Sequence, residues 1–285
     1  RDHILGFRGV NGRGDIIKSG GTVVKNVTGY DLSKLITGSF GTLIALTELT
    51  FKVLPMKNSS STLIIHEDNK DEIAKLFNNL LGSSNEISGS VFVPIEPSNK
   101  KFNKNREEIF KFNDLKYEGP FLAIRMEGSK KSIDERIRDL SIELDLKNKK
   151  KSILDVHQSL LFWEKINNLE LFSNIKNSLV RVVMPPSKCI NLMKYLDHDY
   201  KYYIDWCGSL FWIEILDMNQ KKLIIMKDYI TNLGGYITVI KNSENLPLLQ
   251  DIFTIDETRL YISKKIKESF DPKRIFNPGK MYKGV

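Results

Sequence analysis

KNVTGYDLSKLITGSFGTLIALTELTFKVLP, residues 25–55, is the stretch on which the reading of this chain turns. Tyr30 to Ile36 has the spacing of a short helix, with Asp31 and Ser33 near its start, where a side-chain oxygen can cap free backbone N–H groups. Gly38-Ser39-Phe40-Gly41 then forms a glycine-rich entry to Thr42–Leu54, whose β-branched residues and alternation predict a strand that Pro55 ends. Gly-rich entries of this kind can expose backbone N–H groups to an anion or a planar ring edge. Nine of the 18 glycines lie in the first 55 residues, so this segment turns tightly or approaches something closely. Upstream, Ile4–Val10 and Ile16–Ser19 read as strands joined by a turn at Asn11–Asp15.

The remainder has a different texture. Ser61–His66, Ile87–Val93, Pro120–Glu127, Leu179–Met184 and Tyr236–Ile240 read as strands, and Tyr202–Leu216 as a strand pair turning near Cys207-Gly208-Ser209. Lys70–Leu81, Ser132–Leu144, Leu160–Leu171, Ser187–Leu196 and Gln220–Leu233 read as helices, the last stopping at Gly234-Gly235. Interleaving of this kind predicts an α+β fold, an antiparallel sheet with helices on one face. Ile255–Phe270 is a further amphipathic helix, ended by Asp271-Pro272 and followed by a rigid turn at Phe276–Lys280.

At 285 residues the chain is long enough for roughly two domains. Hydrophobic residues make up 41% and charged residues 27%, a globular balance that excludes a disordered or collagen-like chain. No apolar run is long enough for a transmembrane helix. The formal net charge is +8, but the excess is scattered lysine, and its densest block, Lys147–Lys151, reads as a solvated turn without a nucleic-acid-binding signature. Cys189 and Cys207 lack CxxC spacing, which argues against a disulfide scaffold or an iron–sulfur site in this chain. His3, His66, His157 and His198 show no metal-ligand spacing. Neither GxGxxG nor GxxxxGK[ST] occurs, so the dinucleotide βαβ and P-loop readings both fail.

The quoted stretch resembles a known family. KN-x-x-GYDL-x-x-L-x-x-GS-x-GTL-x-x-x-TE, the upstream RDHILG segment and GG pair, and the closing FDPKRIFNPGKMY (residues 270–282) are similar to the matching motifs of the vanillyl-alcohol-oxidase/PCMH-type FAD-linked oxidases. Within that family the likeness runs to FAD-binding subunits of bacterial glycolate oxidases, through IRMEG (124–128), LVRVVMPP (179–186) and DWCGSLFW (205–212). The resemblance covers nearly the whole chain. It implies the C-terminal part of a PCMH-type FAD-binding domain, residues 1–55 with the tail 246–285, plus a ferredoxin-like antiparallel-sheet cap, residues 56–245. The family's phosphate-binding loop lies upstream of Arg1, so the resemblance also implies an N-terminally truncated chain.

By resemblance, FAD is the cofactor and a small 2-hydroxy acid such as glycolate the substrate, oxidised by hydride transfer to flavin. The implied partners are a second flavin subunit and an iron–sulfur subunit, in the cytoplasm at the face of the inner membrane. The cofactor-binding residues expected are Lys25, Asn26, Gly29, Tyr30, Asp31, Gly38, Ser39, Gly41, Thr42, Leu43, Ala45, Thr47 and Asn277. Ile44 replaces a family glycine and is expected to narrow the gap to the nucleotide or shift the strand. Arg125 and Arg181, mid-strand between apolar neighbours, are the candidates for the substrate carboxylate, because a guanidinium binds carboxylates bidentately. No residue stands out as the base. An assembly subunit that keeps the fold without doing chemistry is the alternative.

Overall fold

β1 (Ile4–Asn11) pairs antiparallel with β2 (Ile16–Gly20) on one side and with β3 (Ile44–Phe51) on the other. The structure, a computed structural model, describes residues 1–23, 29–94, 119–173, 177–196, 200–215, 219–242 and 253–285. The chain divides into two compact units, Arg1–Met56 with Leu248–Val285, and Lys57–Pro247.

The first unit contains the β2-β1-β3 sheet, the short helix α1 (Leu32–Ile36) and the long helix α7 (Glu257–Phe270). Phe7, Ile36 and Ile44 form its apolar cluster, with Ile17 and Leu32 packed against them. Ile44 is thus itself a core residue, 5% exposed. Its side chain turns into the core, within 3.0 Å of where a Cβ on Gly9 would stand. Gly9 is the small partner that makes room for it.

The second unit holds an eight-stranded antiparallel sheet, order β11-β8-β10-β9-β5-β6-β4-β7. Its strands are β4 (Ser59–His66), β5 (Ile87–Val93), β6 (Phe121–Gly128), β7 (Lys151–Leu154), β8 (Ser178–Val183), β9 (Lys201–Asp205), β10 (Leu210–Ile215) and β11 (Tyr236–Lys241). Its helices are α2 (Lys70–Gly82), α3 (Lys130–Glu143), α4 (Val156–Asn167), α5 (Cys189–Leu196) and α6 (Gln220–Asn232). Asn69, Ser129, Asp155 and Asn219 cap α2, α3, α4 and α6 with their side-chain oxygens, which is why each helix starts where it does.

The sheet is two copies of one topology. β4-α2-β5-β6-α3-β7 runs β-α-β-β-α-β with strand order 4-1-3-2, and β8-α5-β9-β10-α6-β11 repeats that order. Each half is ferredoxin-like. They join through their second strands, β5 and β9, over a ladder as short as Val91↔Asp205 and Phe92↔Ile204.

Helices on one face alone would leave the other face wet. Both faces of the sheet are instead dry over most of its area. Ile64, Val91, Val93, Phe121, Ala123, Leu179 and Tyr203 alternate onto one face and cluster with Phe162, Trp163 and Ile166 of α4. Leu63, Ile65, Phe92, Leu122, Ile124, Val180, Val182, Ile204 and Phe211 point the opposite way and are equally buried. α4, the connector between the halves, covers the first face. The near-continuous apolar run FLAIRM in β6 is the signature of a strand covered on both sides. A strand not expected from the lysine run, β7, pairs with β4 alone among the described residues and so stands at the end of the sheet's described order, where charged residues are tolerated. Among the described residues, no helix is long and apolar enough to cross a membrane.

Candidate functional site

In the first unit, the glycine-rich loop and the C-terminal tail are built as one structure. Lys267 sits at the end of α7 and is 1% exposed. Its ammonium donates to the Thr42 carbonyl (2.6 Å), to Asp271 Oδ2 (2.7 Å) and to the Phe276 carbonyl (2.7 Å). All three of its protons are thus used, which makes burial of the charge tolerable. Asp271, fully buried, also accepts from Ile275 N (3.0 Å) and Phe276 N (2.8 Å). Burial pushes its carboxyl up, but Lys267 and the two backbone N–H groups outweigh that and hold it below the usual carboxylate range.

Asn277, in the left-handed region at φ +38°, donates from Nδ2 to the Phe40 carbonyl at 3.0 Å. A Cβ on Gly41 (φ +70°) would lie 2.8 Å from that same nitrogen. The glycine thus serves two needs, a left-handed backbone and room for the amide. Thr42 Oγ1 donates to the Ser39 carbonyl at 2.7 Å and closes the loop on itself.

This loop, α7 and the tail enclose a cavity of about 320 Å³, lined by Gly38, Ser39, Thr42 and Leu43, by Arg259 and Ile262 of α7, and by Arg1 and Tyr282 among others. Gly38 (φ +87°) has nothing within 4 Å of where a Cβ would be, so the backbone there is open. Two arginines and an open left-handed loop fit an anionic ligand segment. The volume accommodates a portion of a dinucleotide.

The other expected residues are distributed as follows. Lys25 and Asn26 lie outside the described residues. Gly29 is left-handed at φ +76°. Tyr30 is 92% exposed. Asp31 caps α1, accepting from Lys34 N at 3.2 Å. Ala45 lies on exposed β3 opposite Val10. Thr47 Oγ1 donates to the Arg8 carbonyl at 3.2 Å. Gly38, Ser39, Thr42 and Leu43 thus line the cavity, Asn277 holds the same loop at Phe40 and Gly41, and Gly29, Tyr30, Asp31, Ala45 and Thr47 are not among the lining residues. Lys267 and Asp271 had been missed. Their i, i+4 spacing beside a Pro reads as an ordinary helix end, and nothing local marks the pair as buried.

In the second unit, Arg125 and Arg181 fall on the sheet face that α4 covers, beyond the part α4 closes. They stand on β6 and β8, with β5, β9 and β10 between them, roughly 19 Å apart at one strand spacing per step. Arg125 is committed: Nε donates to Ser88 Oγ (3.2 Å), Nη2 to the Ser88 carbonyl (3.3 Å), Glu127 is 4.0 Å away, and the guanidinium lies 4.8 Å over the Trp163 ring. Arg181 stacks 5.2 Å over Trp206 and, among the described residues, has neither a hydrogen bond nor an ion pair. On β9 between them, Asp205 accepts from Trp206 N at 2.7 Å. Its carboxyl is pushed up to about 6, mainly by burial, partly opposed by that N–H and by the Arg125 charge. Among the described residues, no group of three or more His, Cys, Asp or Glu side chains could hold a metal.

No family model matches the chain. It is 28% identical to glycolate oxidase subunit GlcE of Escherichia coli strain K12 over 285 residues, 99% of this chain and 66% of that protein. To glycolate oxidase subunit GlcD of Bacillus subtilis strain 168 it is 24% identical over 309 residues, 99% of this chain and 63% of that protein. The chain thus spans just under two thirds of the length of these relatives. A D-lactate dehydrogenase of Anaerostipes hadrus is 43% identical over 72 residues, 25% of this chain and 15% of that protein. Among solved structures, 4-ethylphenol oxidase from Gulosibacter chungangensis superposes with a TM-score of 0.64 at 14% identity, covering 99% of this chain and 66% of that one. Substrate-bound p-cresol methylhydroxylase gives 0.60 at 13% identity, covering 99% and 65%. Over 99% of its length the chain is similar in sequence to subunits of glycolate oxidase, and with its glycine loop and tail locked together and its double ferredoxin-like sheet it shares the fold of p-cresol methylhydroxylase and 4-ethylphenol oxidase.

Proposed function

We propose that this chain is the FAD-binding subunit of a glycolate oxidase, acting with a second flavin subunit and an iron–sulfur subunit in the cytoplasm, at the inner membrane through those partners. The observation that carries this reading is the Lys267 ammonium. It joins the glycine loop, at Thr42, to the tail, at Asp271 and Phe276, so that both motif regions border one cavity.

Bound FAD supplies the two-electron acceptor for oxidation of the 2-hydroxy acid. In the first unit, backbone groups of Gly38–Leu43 would hold part of it, with Arg1 and Arg259 beside its anionic groups and Asn277 fixing the loop through Phe40. In the cap, Arg181 is the guanidinium left to receive the substrate carboxylate, since Arg125 is already taken by Ser88, Glu127 and Trp163.

The test is to express the protein with its partner subunits and purify it. Retained flavin absorbance that bleaches on addition of glycolate is expected. A colourless protein that takes up no FAD overturns the reading, and flavin that never bleaches returns the chain to an assembly role.

A further inference from the structure

The cap's sheet face changes character along its strands. It is closed where Val91, Val93, Phe121 and Tyr203 meet α4, and half-open at Arg125, Asp205, Trp206 and Arg181. At that open end the turn after β9 is strained. Trp206 (φ +52°) and Cys207 (φ +48°) are consecutive non-glycine residues in the left-handed region, followed by Gly208 (φ +89°). Strain of this kind persists where surrounding contacts enforce it. Ser90 of β5 does so here, its Oγ accepting from Cys207 N at 2.8 Å and donating to Cys207 Sγ at 3.1 Å. The enforced turn leaves Trp206 53% exposed, with its ring under Arg181 and its backbone N–H donating to Asp205 Oδ1. Asp205 Oδ2 has no hydrogen-bond partner among the described residues. The turn therefore carries, on successive residues, a carboxylate oxygen without a donor (Asp205) and the ring over which a cation without an anion, Arg181 of β8, is stacked.

We infer that Asp205 Oδ2 accepts the hydrogen of the 2-hydroxyl of a small 2-hydroxy acid whose carboxylate binds Arg181 above Trp206, so that Asp205 selects 2-hydroxy acids over their deoxy analogues. This rests on the reading of the chain as one that handles a 2-hydroxy acid. In such an acid the two groups are on adjacent carbons, matching an acceptor on Asp205 and a β8 cation stacked on the ring of the next residue, Trp206. A charged acceptor makes the stronger hydrogen bond, so the preference requires ionised Asp205. The groups acting on it are Arg125 of β6, which favours ionisation, and its chain neighbours Tyr203 and Cys207, whose own ionisation it disfavours.

The experiment titrates the whole chain with glycolate and with acetate, following tryptophan fluorescence, at pH 8 and pH 5. The wild type is expected to prefer glycolate by about tenfold at pH 8, with the preference collapsing at pH 5. D205N should bind both acids alike at either pH and keep its acetate affinity. R181M should weaken both acids. A glycolate-to-acetate ratio unchanged between pH 8 and pH 5, or retained in D205N, overturns the role of Asp205 while acetate binding through Arg181 leaves the functional reading standing. Should neither acid bind the wild type, both fall. The pH comparison uses no variant, so it decides the matter even if D205N does not fold.

Discussion

Lys267 and Asp271 form an ion pair one helical turn apart, Nζ to Oδ2 at 2.7 Å, with both side chains essentially without solvent contact. The pair is more than a tie within α7. Through the Thr42 and Phe276 carbonyls and the Ile275 and Phe276 N–H groups, it fixes the glycine loop and the tail to the same helix end.

Removing one partner leaves the other as an uncompensated buried charge. K267M should cost about 3–5 kcal/mol in denaturant unfolding. D271N should cost less than K267M, because the amide still accepts from the ammonium. The double variant K267M/D271N should fall well short of the sum, since each loss includes the other's missing partner.

The pH dependence follows from the same pair. Asp271 titrates below the ordinary carboxylate value in the folded state. Its contribution is therefore full above the unfolded value of about 3.9 and is lost as the pH falls from there through the folded value. Stability measured from pH 6 downward should hold near pH 5 and then drop. In D271N the part of the drop that comes from this group should vanish.

Gly12 makes the same hub sensitive to a single methyl group. A Cβ there would lie 2.1 Å from Asp271 Oδ1 and 2.7 Å from its Cα, and Gly12 N donates to the Phe270 carbonyl at 2.9 Å. Gly14, two residues on, sits at φ +90° with open space around it. G14A should cost about 1–2 kcal/mol through backbone strain alone. G12A should cost more, because the backbone of Asp271 would have to move. Thermal unfolding of the two variants side by side checks the order.

The residues themselves explain what could be read in advance. The helix ending at Gly234 was legible because only a left-handed C-cap suits that glycine, and it stands at φ +78°. The short helix after Tyr30 was legible from Asp31, which does cap it. The duplication of the cap was not, because the halves share a strand order and not a sequence pattern. β7 was hidden in a lysine run, since an edge strand needs no apolar face. At the candidate sites, Asn277 and Gly41 could be named from motif spacing. The burial of Lys267 and the raised Asp205 depend on what lies across the fold, which no local window contains.

Asn277 tests whether the loop clamp matters to the ligand or to the fold. Its amide makes one exposed hydrogen bond to the Phe40 carbonyl. N277A should therefore lower stability by about 1 kcal/mol or less. Flavin retention should fall much further, because the Gly38–Gly41 backbone loses the contact that sets its conformation. A variant with normal flavin content would show that Lys267 and the Thr42 hydroxyl suffice to hold the loop.

Trp163 joins α4 to the sheet through a buried polar chain. Its Nε1 donates to Thr62 Oγ1 at 2.8 Å, and the Thr62 hydroxyl meets Ser159 Oγ at 2.7 Å, which meets Ser60 Oγ at 2.9 Å. Three hydroxyls and one indole N–H lie inside an otherwise apolar layer, so each depends on the next for a partner. W163F keeps most of the ring's volume but takes one of the two hydrogen bonds from Thr62 Oγ1, leaving it Ser159 alone, and removes the wider surface over which Arg125 stacks. It should cost about 1–3 kcal/mol. T62V strands the indole N–H and one Ser159 contact and should cost about as much. If the bond is the source of both losses, W163F/T62V will be no worse than the costlier single variant, because neither partner is left alone. Full additivity in urea unfolding would instead mean that packing of α4 on β4, and not the hydrogen-bonded chain, holds this face of the cap together.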